Sequence, residues 1–225
     1  MCDVGVTQSP ITYNVMVDVL GKCGRYKEAR DLWNHYQASG VFPRDSRTIL
    51  IAYTAFASAT SNSGLTDVVN RTLVLLREVE EAGVKPDLQL FTSVLSACRN
   101  VGDAETARSL YEELRWRDIK LTSVTYSTLL GAHTGQPLQA LQTLVSEMQA
   151  DGIAMDGYVL EEYLFAILGT RLLRSFTNAD VKSMITTQLQ RIEDARFQAI
   201  VSLINRAKNT GIRLTRLVRW VEDRI

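Results

Sequence analysis

The sequence contains few of the residues that build metal and disulfide sites. Its 225 residues include three cysteines and two histidines. Cys2, Cys23 and Cys98 lie far apart, so neither a disulfide framework nor a cysteine-based metal site is predicted. His35 and His133 are isolated as well, and the sequence has no glycine-rich phosphate loop, zinc-hydrolase pair or deaminase motif. We therefore predict no catalytic residue, no metal, no cofactor and no small-molecule substrate.

The sequence also lacks long apolar runs and a net charge. No run of about 18 apolar residues is present, so no membrane insertion is predicted. Lysine and arginine total 25, as do aspartate and glutamate, and this balance gives no general attraction to nucleic acid. Residues 1–156 carry 14 basic and 18 acidic side chains, whereas residues 157–225 carry 11 and 7. Any broad attraction to phosphate is therefore expected in the C-terminal third.

What the sequence does contain is a repeat. Apolar stretches with helical spacing follow three similar entry segments, at residues 11–14, 90–92 and 124–127. Three similar exit segments, which begin with glycine, occupy residues 40–44, 83–87 and 152–156. Alignment gives repeats at residues 10–44, 45–87, 88–122 and 123–156, of which all but the second have nearly the same length. Residues 1–9 match the tail end of an upstream repeat, so we expect the chain to begin inside one.

Each repeat is predicted to be a pair of helices. Apolar residues at three- and four-residue spacing mark both helices, and a glycine follows the second one. Ala29 and Ala107 are expected to be buried at equivalent helix crossings. The second repeat is longer by about eight residues, and the polar run at residues 58–64 predicts that the excess forms a loop.

Beyond residue 156 the repeat becomes irregular. Apolar spacing predicts a helix from Tyr158 to about Leu173, and another from Asp180 to Asp194 after an N-cap at Asn178. A further apolar stripe follows at residues 197–204. Residues 157–225 are therefore expected to form a divergent helical C-terminal cap, because the terminal units of repeat arrays are commonly atypical.

The repeat length, the Thr-Tyr-Asn entry, the Ala-x-x-Leu-Tyr or Ala-x-x-Leu-Trp second helix and the Gly-Val-x-Pro-Asp exit resemble the pentatricopeptide repeat family. The resemblance covers roughly the first two-thirds of the chain. It implies an all-α fold, an α-solenoid of stacked helix-turn-helix repeats with a period of about 35 residues. It also implies binding of single-stranded RNA in mitochondria or plastids, as known members of the family do.

The resemblance further implies a set of RNA-contacting residues. In the family, the residue after the entry aromatic and the last residue of the same repeat contact one base. The corresponding pairs are Asn14 with Arg44, Ile49 with Asp87, Thr92 with Thr122, and Ser127 with Asp156. The residues expected to pack between bases are Ile11, Ser46, Gln89 and Val124, of which two are apolar, and the family position of a phosphate-contacting cation holds Lys22.

Only one of these pairs has the chemistry of a base reader. Ser127 with Asp156 combines a short hydroxyl and an acidic group, which can form hydrogen bonds with a base edge. Asn14, Thr92 and Ser127 also have a purely structural interpretation. Short polar side chains form hydrogen bonds with nearby backbone groups in the first turn of a helix, and Lys22 can be an ordinary solvated cation.

The end of the chain is rich in arginine. Arg213, Arg216 and Arg219 lie close to Trp220, and arginine pairs with phosphate and stacks on bases. One interpretation is an RNA-contacting cap. The other is a solvated basic face whose apolar residues pack inward or against a protein neighbour, as expected for Leu214, Leu217, Val218 and Val221.

Two classes of function follow. In the first, the protein is an organellar factor, a partly RNA-contacting subunit of a mitochondrial ribonucleoprotein such as a ribosome or an RNA-processing complex, with a plastid location as the alternative. Its partners would be single-stranded or ribosomal RNA and the protein subunits of the assembly. In the second, the chain is a protein–protein scaffold in a large organellar complex and binds no RNA. The neutral charge favours contact by shape over reading of sequence.

Overall fold

A computed structural model describes residues 9–170 and 178–225 of the chain. Within these ranges the regular structure consists of α-helices, with no strand, which confirms the predicted all-α class. The first six helices are α1 (Pro10–Lys22), α2 (Tyr26–Ala38), α3 (Ser46–Ser61), α4 (Val68–Glu81), α5 (Leu88–Val101) and α6 (Ala104–Trp116). The remaining six are α7 (Ser123–Ala132), α8 (Leu138–Ala150), α9 (Gly157–Leu168), α10 (Asn178–Leu189), α11 (Asp194–Asn209) and α12 (Arg216–Glu222).

The chain divides into two compact units, residues 1–97 and 98–225. In the first unit, α1 packs on α2 and α3, and α3 packs on α4. In the second, α7 packs on α6, α8 and α9, and α9 also contacts α10, α11 and α12. None of the described helices has the length and apolar character needed to cross a membrane.

Local capping explains where the helices begin and end. The side chains of Asp45 and Asp103 each accept a hydrogen bond from the backbone three residues on, at 2.9 and 3.0 Å, and so cap α3 and α6. Gly83 follows α4 in the left-handed conformation, with φ of 72°. After α6 the same conformation falls on Asp118, with φ of 54°. This position has the Cβ that glycine lacks, so the third repeat ends at some cost in strain.

The core of the first unit is aromatic. Trp33 of α2 stacks on Phe56 of α3 with ring centroids 4.6 Å apart, and meets Tyr53 edge-on at 5.1 Å. Ala29 is fully buried one turn earlier. At the other side of α3, a Cβ on Gly21 would lie 2.5 Å from the Cβ of Ala59. The missing side chain therefore allows α1 and α3 to approach closely.

The predicted loop at residues 58–64 is only partly correct, because α3 continues to Ser61 and the loop spans residues 62–67. The Thr60 hydroxyl donates to the Phe56 carbonyl at 2.8 Å, and the Asn62 amide donates to the Ser58 carbonyl at 2.8 Å. These polar side chains satisfy backbone groups of the last helical turns. Burial of Ala59 against α1 then holds that turn helical despite its loop-like composition.

In the second unit, ion pairs tie α6 to α8. Arg108 donates to both carboxylate oxygens of Glu147, each at 3.0 Å. Arg115 donates to Asp151, just after α8, at 2.8 and 2.9 Å. The Tyr126 hydroxyl of α7 donates to the same carboxylate at 2.6 Å. Bidentate arginine–carboxylate pairs fix distance and orientation together, so this unit holds its second helices in a defined register.

The C-terminal helices differ from their predicted limits. α9 ends at Leu168 rather than near Leu173, because Gly169 takes the left-handed conformation with φ of 68°; residue 173 itself lies outside the described residues. Asn178 is the first residue of α10, which ends at Leu189. The predicted extension to Asp194 is wrong. Glu193 is extended, and Asp194 begins α11.

Candidate RNA-binding surface

Ser127 and Asp156, the pair with the chemistry of a base reader, lie on one groove of the second unit. The groove has a volume of 330 Å³, and its lining also includes Val124, Tyr158, Glu161 and Glu162. Ser127 projects from α7, and Asp156 is the residue just before α9. The packing of α7 on α9 therefore brings together two residues that are 29 positions apart in the sequence.

Both polar groups already take part in backbone hydrogen bonds. Oδ1 of Asp156 accepts from the backbone N–H groups of Tyr158 and Val159, each at 2.9 Å, and so caps α9. The Ser127 hydroxyl donates to the Val124 carbonyl at 2.9 Å. These backbone hydrogen bonds use only part of the hydrogen-bonding capacity of the two side chains. Oδ2 of Asp156 and the Ser127 oxygen remain acceptors that can face the groove.

An apolar side chain and an aromatic ring stand beside these acceptors. The Val124 side chain is 58% exposed and that of Tyr158 is 80% exposed. Sequence reasoning missed Tyr158, although it follows Asp156 at the position that Val124 holds after Thr122, one repeat further on. The repeat period was the signal that could have found it. Exposed rings of this kind offer a face for base stacking.

The back of the groove is acidic. Arg99 forms an ion pair with Glu162, and the two side chains are 26% and 21% exposed. Burial raises the pKa of Glu162, while the neighbouring Arg99 acts in the opposite direction. Glu161 adds a second carboxyl group to the lining. Carboxylates repel phosphate, so the groove suits the donor groups of a base rather than the RNA backbone.

The first two predicted pairs, both in the first unit, offer less to a base. Asn14 is only 9% exposed, and Arg44 is exposed in the segment between α2 and α3. Ile49 is half-buried on α3 and has no polar group in its side chain. Oδ1 of Asp87 accepts from the Leu90 backbone N–H at 2.9 Å. Asn14 and Ile49 therefore offer little to a base in the first unit.

The members of the third pair lie in different units. The Thr92 hydroxyl donates to the Leu88 carbonyl at 2.7 Å. Thr122 caps α7, where its backbone N–H and its hydroxyl both meet the Thr125 hydroxyl. Of the other predicted contacts, Ile11 is 73% exposed on α1. Lys22 pairs with Asp18 at 2.6 Å, which offsets its charge.

The arginines near the end of the chain are accessible. Arg213, Arg216 and Arg219 are exposed, and no ion pair joins them to any of the residues that the structure describes. In α12, which carries Arg216 and Arg219, Val218 and Val221 are buried. Exposed cations above buried apolar residues agree with either interpretation of this segment, so contact with RNA stays a prediction.

The ring of Trp220 already contacts cations of the chain itself. The Arg224 guanidinium lies 3.7 Å from the centroid of its ring, and the Lys182 ammonium lies 5.7 Å from it. These contacts place further positive charge beside the exposed arginines.

Across residues 9–170 and 178–225, no three metal-binding side chains form a group. His133 is buried, with its Nδ1 2.8 Å from the Leu129 carbonyl.

Family models match two stretches of the chain. The model described as PPR repeat matches residues 11–41, and the model described as pentatricopeptide repeat domain matches residues 74–136. A pentatricopeptide repeat-containing protein of Arabidopsis thaliana is 26% identical over 142 residues, which are 63% of this chain and 30% of that protein. A chloroplastic member from the same plant is 26% identical over 149 residues, 65% of this chain and 18% of that protein. The chain thus spans less than a third of these relatives.

Solved structures show the same fold. The pentatricopeptide repeat protein PPR10 from maize superposes with a TM-score of 0.64 at 22% identity, over 94% of this chain and 31% of that one. PPR10 in complex with an 18-nt psaJ RNA element gives 0.63 at 20% identity, over 96% and 36%. The PPR domain of Arabidopsis thaliana protein-only RNase P 1, in complex with tRNA, gives 0.57 at 16%, over 87% and 98%. The fold is that of an α-helical repeat solenoid, and residues 11–41 and 74–136 match models of the pentatricopeptide repeat.

Proposed function

We propose that this chain is part of an organellar RNA-binding protein that contacts RNA at two places, a base at the Ser127–Asp156 groove and phosphates at the C-terminal arginines. The observation that carries the proposal is the groove. It combines two free acceptor oxygens, an exposed apolar residue and an exposed ring within one cavity of 330 Å³. Recognition of single-stranded RNA uses this combination of edge hydrogen bonds and stacking.

The hydrogen bonds of the groove favour particular bases. The Ser127 hydroxyl donates its proton to the Val124 carbonyl, and the Asp156 carboxylate only accepts. The groove therefore favours a base whose Watson–Crick edge donates, and guanine has two such donors. Asp156→Asn would retain an oxygen for the cap of α9 while adding a donor, because asparagine caps helices as well as aspartate does. We expect this change to shift the preference from guanine toward adenine.

The phosphate contacts are assigned to the cap because the charge lies there. Residues 157–225 carry four more basic than acidic side chains, and residues 1–156 carry four fewer. Contacts to phosphate strengthen binding without reading sequence. We therefore place most of the affinity in Arg213, Arg216 and Arg219, and the base preference in the groove.

We further propose a mitochondrial ribonucleoprotein, a ribosome or an RNA-processing complex, as the assembly that contains the protein. Relatives from Arabidopsis thaliana include one named as mitochondrial and others named as chloroplastic, so a plastid is the alternative. A protein scaffold without RNA binding is the second candidate. It is favoured by the acidic balance of the repeats and by the small exposed fraction of Asn14.

The test measures binding of the 225-residue chain to a random pool of 20-nucleotide single-stranded RNA at several salt concentrations. Changing Arg213, Arg216 and Arg219 to Gln should make the slope of log affinity against log salt shallower by about two units, since each phosphate contact on a single strand contributes about 0.7. The matched control changes the exposed residues Arg47, Arg77 and Arg191 to Gln.

Three results would count against the proposal. If the slope of log affinity against log salt became equally shallow in the control variant, any three exposed cations would contribute to binding as much as the terminal arginines do. Loss of all binding on Ser127→Ala with Asp156→Asn, with the arginine variant unaffected, would place the affinity in the groove instead of the cap. Absence of measurable binding by the unmodified chain would leave the scaffold as the remaining candidate.

A further inference from the structure

A second groove lies in the first unit, between α2 and α4. It has a volume of 290 Å³. Tyr26, Arg30 and Trp33 line it from α2, Phe56 lines it from α3, and Val74 and Glu78 line it from α4. None of these residues belongs to the predicted RNA contacts.

The corresponding helices of the second unit are held together at this point. Arg30 and Arg108 each follow the buried alanine of their helix, and Glu78 and Glu147 each lie five residues before the exit glycine. Arg108 donates to both carboxylate oxygens of Glu147 at 3.0 Å. Arg30 and Glu78 occupy the same register positions, yet no ion pair joins them in the part of the chain that the structure describes. The groove lies at the position where an ion pair between Arg30 and Glu78 would form.

Glu78 and Arg30, which form no ion pair with each other, have different surroundings. Glu78 lies beside the hydroxyl of the buried Tyr53; burial first, and the Glu78 charge second, raise the pKa of that tyrosine to about 12. Arg30 is exposed and has no ion pair with any described residue. An arginine at the edge of an apolar cavity, without a carboxylate, is a site for a carboxylate from elsewhere.

The floor between the charges is apolar. Trp33 and Phe56 stack with planes 6° apart, and Tyr26 lies nearly parallel to Phe56 at 6.3 Å. Val74 is 47% exposed on the opposite wall. The cavity volume of 290 Å³ is at the lower end of the range for ligand pockets. The groove therefore has room for one apolar or aromatic side chain rather than for a large ligand.

We propose that this groove docks a segment of a partner protein that inserts one apolar or aromatic side chain and pairs an adjacent aspartate or glutamate with Arg30. Charge complementarity identifies the occupant. In the second unit, Glu147 provides the carboxylate that pairs with Arg108. In the first unit, the docked segment would provide the carboxylate that pairs with Arg30. The inserted side chain covers Val74 and the half-buried Tyr26, in the manner of an anchor residue in a small pocket.

The same features argue against RNA as the occupant. Base stacking needs an open ring face, but Trp33 and Phe56 are only 3% and 6% exposed. The groove also offers only one cation without an ion pair among the described residues, Arg30, because Arg71 is paired with Asp67 at 2.8 Å. One arginine suffices for a single carboxylate, whereas binding of an RNA backbone draws on several cations.

The experiment uses a phage-displayed library of random 12-residue peptides, selected on the 225-residue chain. We expect enriched peptides to share an aromatic or branched apolar residue next to an acidic one. The synthetic consensus peptide should bind at least ten-fold more weakly to Arg30→Glu than to the unmodified chain. Changing its acidic residue to lysine should restore binding to that variant. Lys27→Glu, the same charge change on the same helix but outside the groove, should alter the affinity by less than two-fold.

Circular dichroism of each variant establishes that it is folded, so a lost interaction is not mistaken for lost structure. The proposal is overturned if no such consensus is enriched, or if Arg30→Glu and Lys27→Glu weaken binding equally. Displacement of the peptide by 20-nucleotide single-stranded RNA would assign the groove to RNA and overturn it too. The inference is independent of the proposed RNA contacts, because the variant with the three terminal arginines changed should bind the peptide normally.

Discussion

Gly131 of α7 offers the sharpest test of the packing in the second unit. A Cβ at this position would lie 2.7 Å from Nε and 2.8 Å from Cδ of Arg99. Real side chains do not tolerate such distances, so Gly131→Ala must displace the arginine. Arg99 in turn forms the ion pair with Glu162. We therefore expect the added methyl group to break an interaction between two other helices.

The magnitude follows from two opposing effects. Alanine stabilises a helix interior by about 1 kcal/mol relative to glycine. Breaking a fully buried ion pair costs about 3–5 kcal/mol, whereas an exposed pair is worth at most about 1 kcal/mol. The side chains of Arg99 and Glu162 are about one quarter exposed, so we take the lower end of the buried range, about 3 kcal/mol. The difference between these effects predicts that Gly131→Ala lowers the free energy of unfolding by about 2 kcal/mol, opposite in sign to helix propensity alone.

A double-mutant cycle checks the reasoning by urea unfolding, followed by circular dichroism. In an Arg99→Ala background the methyl group meets nothing, so Gly131→Ala should stabilise by about 1 kcal/mol. The unpaired Glu162 is present in both members of that comparison and cancels. Hydrogen exchange should locate the change in α7 and α9. Equal destabilisation in both backgrounds, or stabilisation of the unmodified chain, would refute the proposed contact.

Three further changes test other parts of the molecule. Burial lowers the pKa of His133 below its ordinary value, so the unfolded state binds the proton more readily and the unfolding midpoint should fall as the pH drops below about 6.5; His133→Gln should reduce that fall, and an unchanged pH profile would contradict it. The Tyr36 hydroxyl is buried without a hydrogen-bond partner among the described residues, so Tyr36→Phe should not destabilise and should raise the free energy of unfolding by up to about 1 kcal/mol in the same urea titration. Ala107 is fully buried, so Ala107→Leu should cost about 1–3 kcal/mol by overpacking, while Ala104→Leu at a half-buried position of the same helix should cost less; equal costs would mean that the repeat register is wrong.

The fold was predictable because the same packing pattern recurs in several repeats. Apolar spacing and exit glycines indicated the helices of the repeats. The length of α3 was not predictable from composition. Residues 58–64 have the composition of a loop, whereas the structure places Ala59 against Gly21 and the Thr60 hydroxyl on a backbone carbonyl. Burial and local hydrogen bonds decided that boundary, and neither is visible in a polar run of residues.

The candidate site was predictable to a smaller extent. The repeat register paired Ser127 with Asp156, and both line one groove, although RNA contact by them stays a prediction. Tyr158 could have been found from the period. The absence of an ion pair between Arg30 and Glu78 could not have been predicted, because the second unit has the same residue types at the same positions and forms the pair there.

The most extensive contacts between the described helices join partners that are at most three places apart along the chain. This locality has a kinetic consequence. Loops that close such contacts are short, so little chain entropy is lost before each contact forms, and chains of this kind fold fast. A helix pair can therefore gain most of its contacts as soon as the next one or two helices become available. The chain can build its structure in order from one end, without waiting for distant segments, whether it leaves a ribosome or a narrow pore.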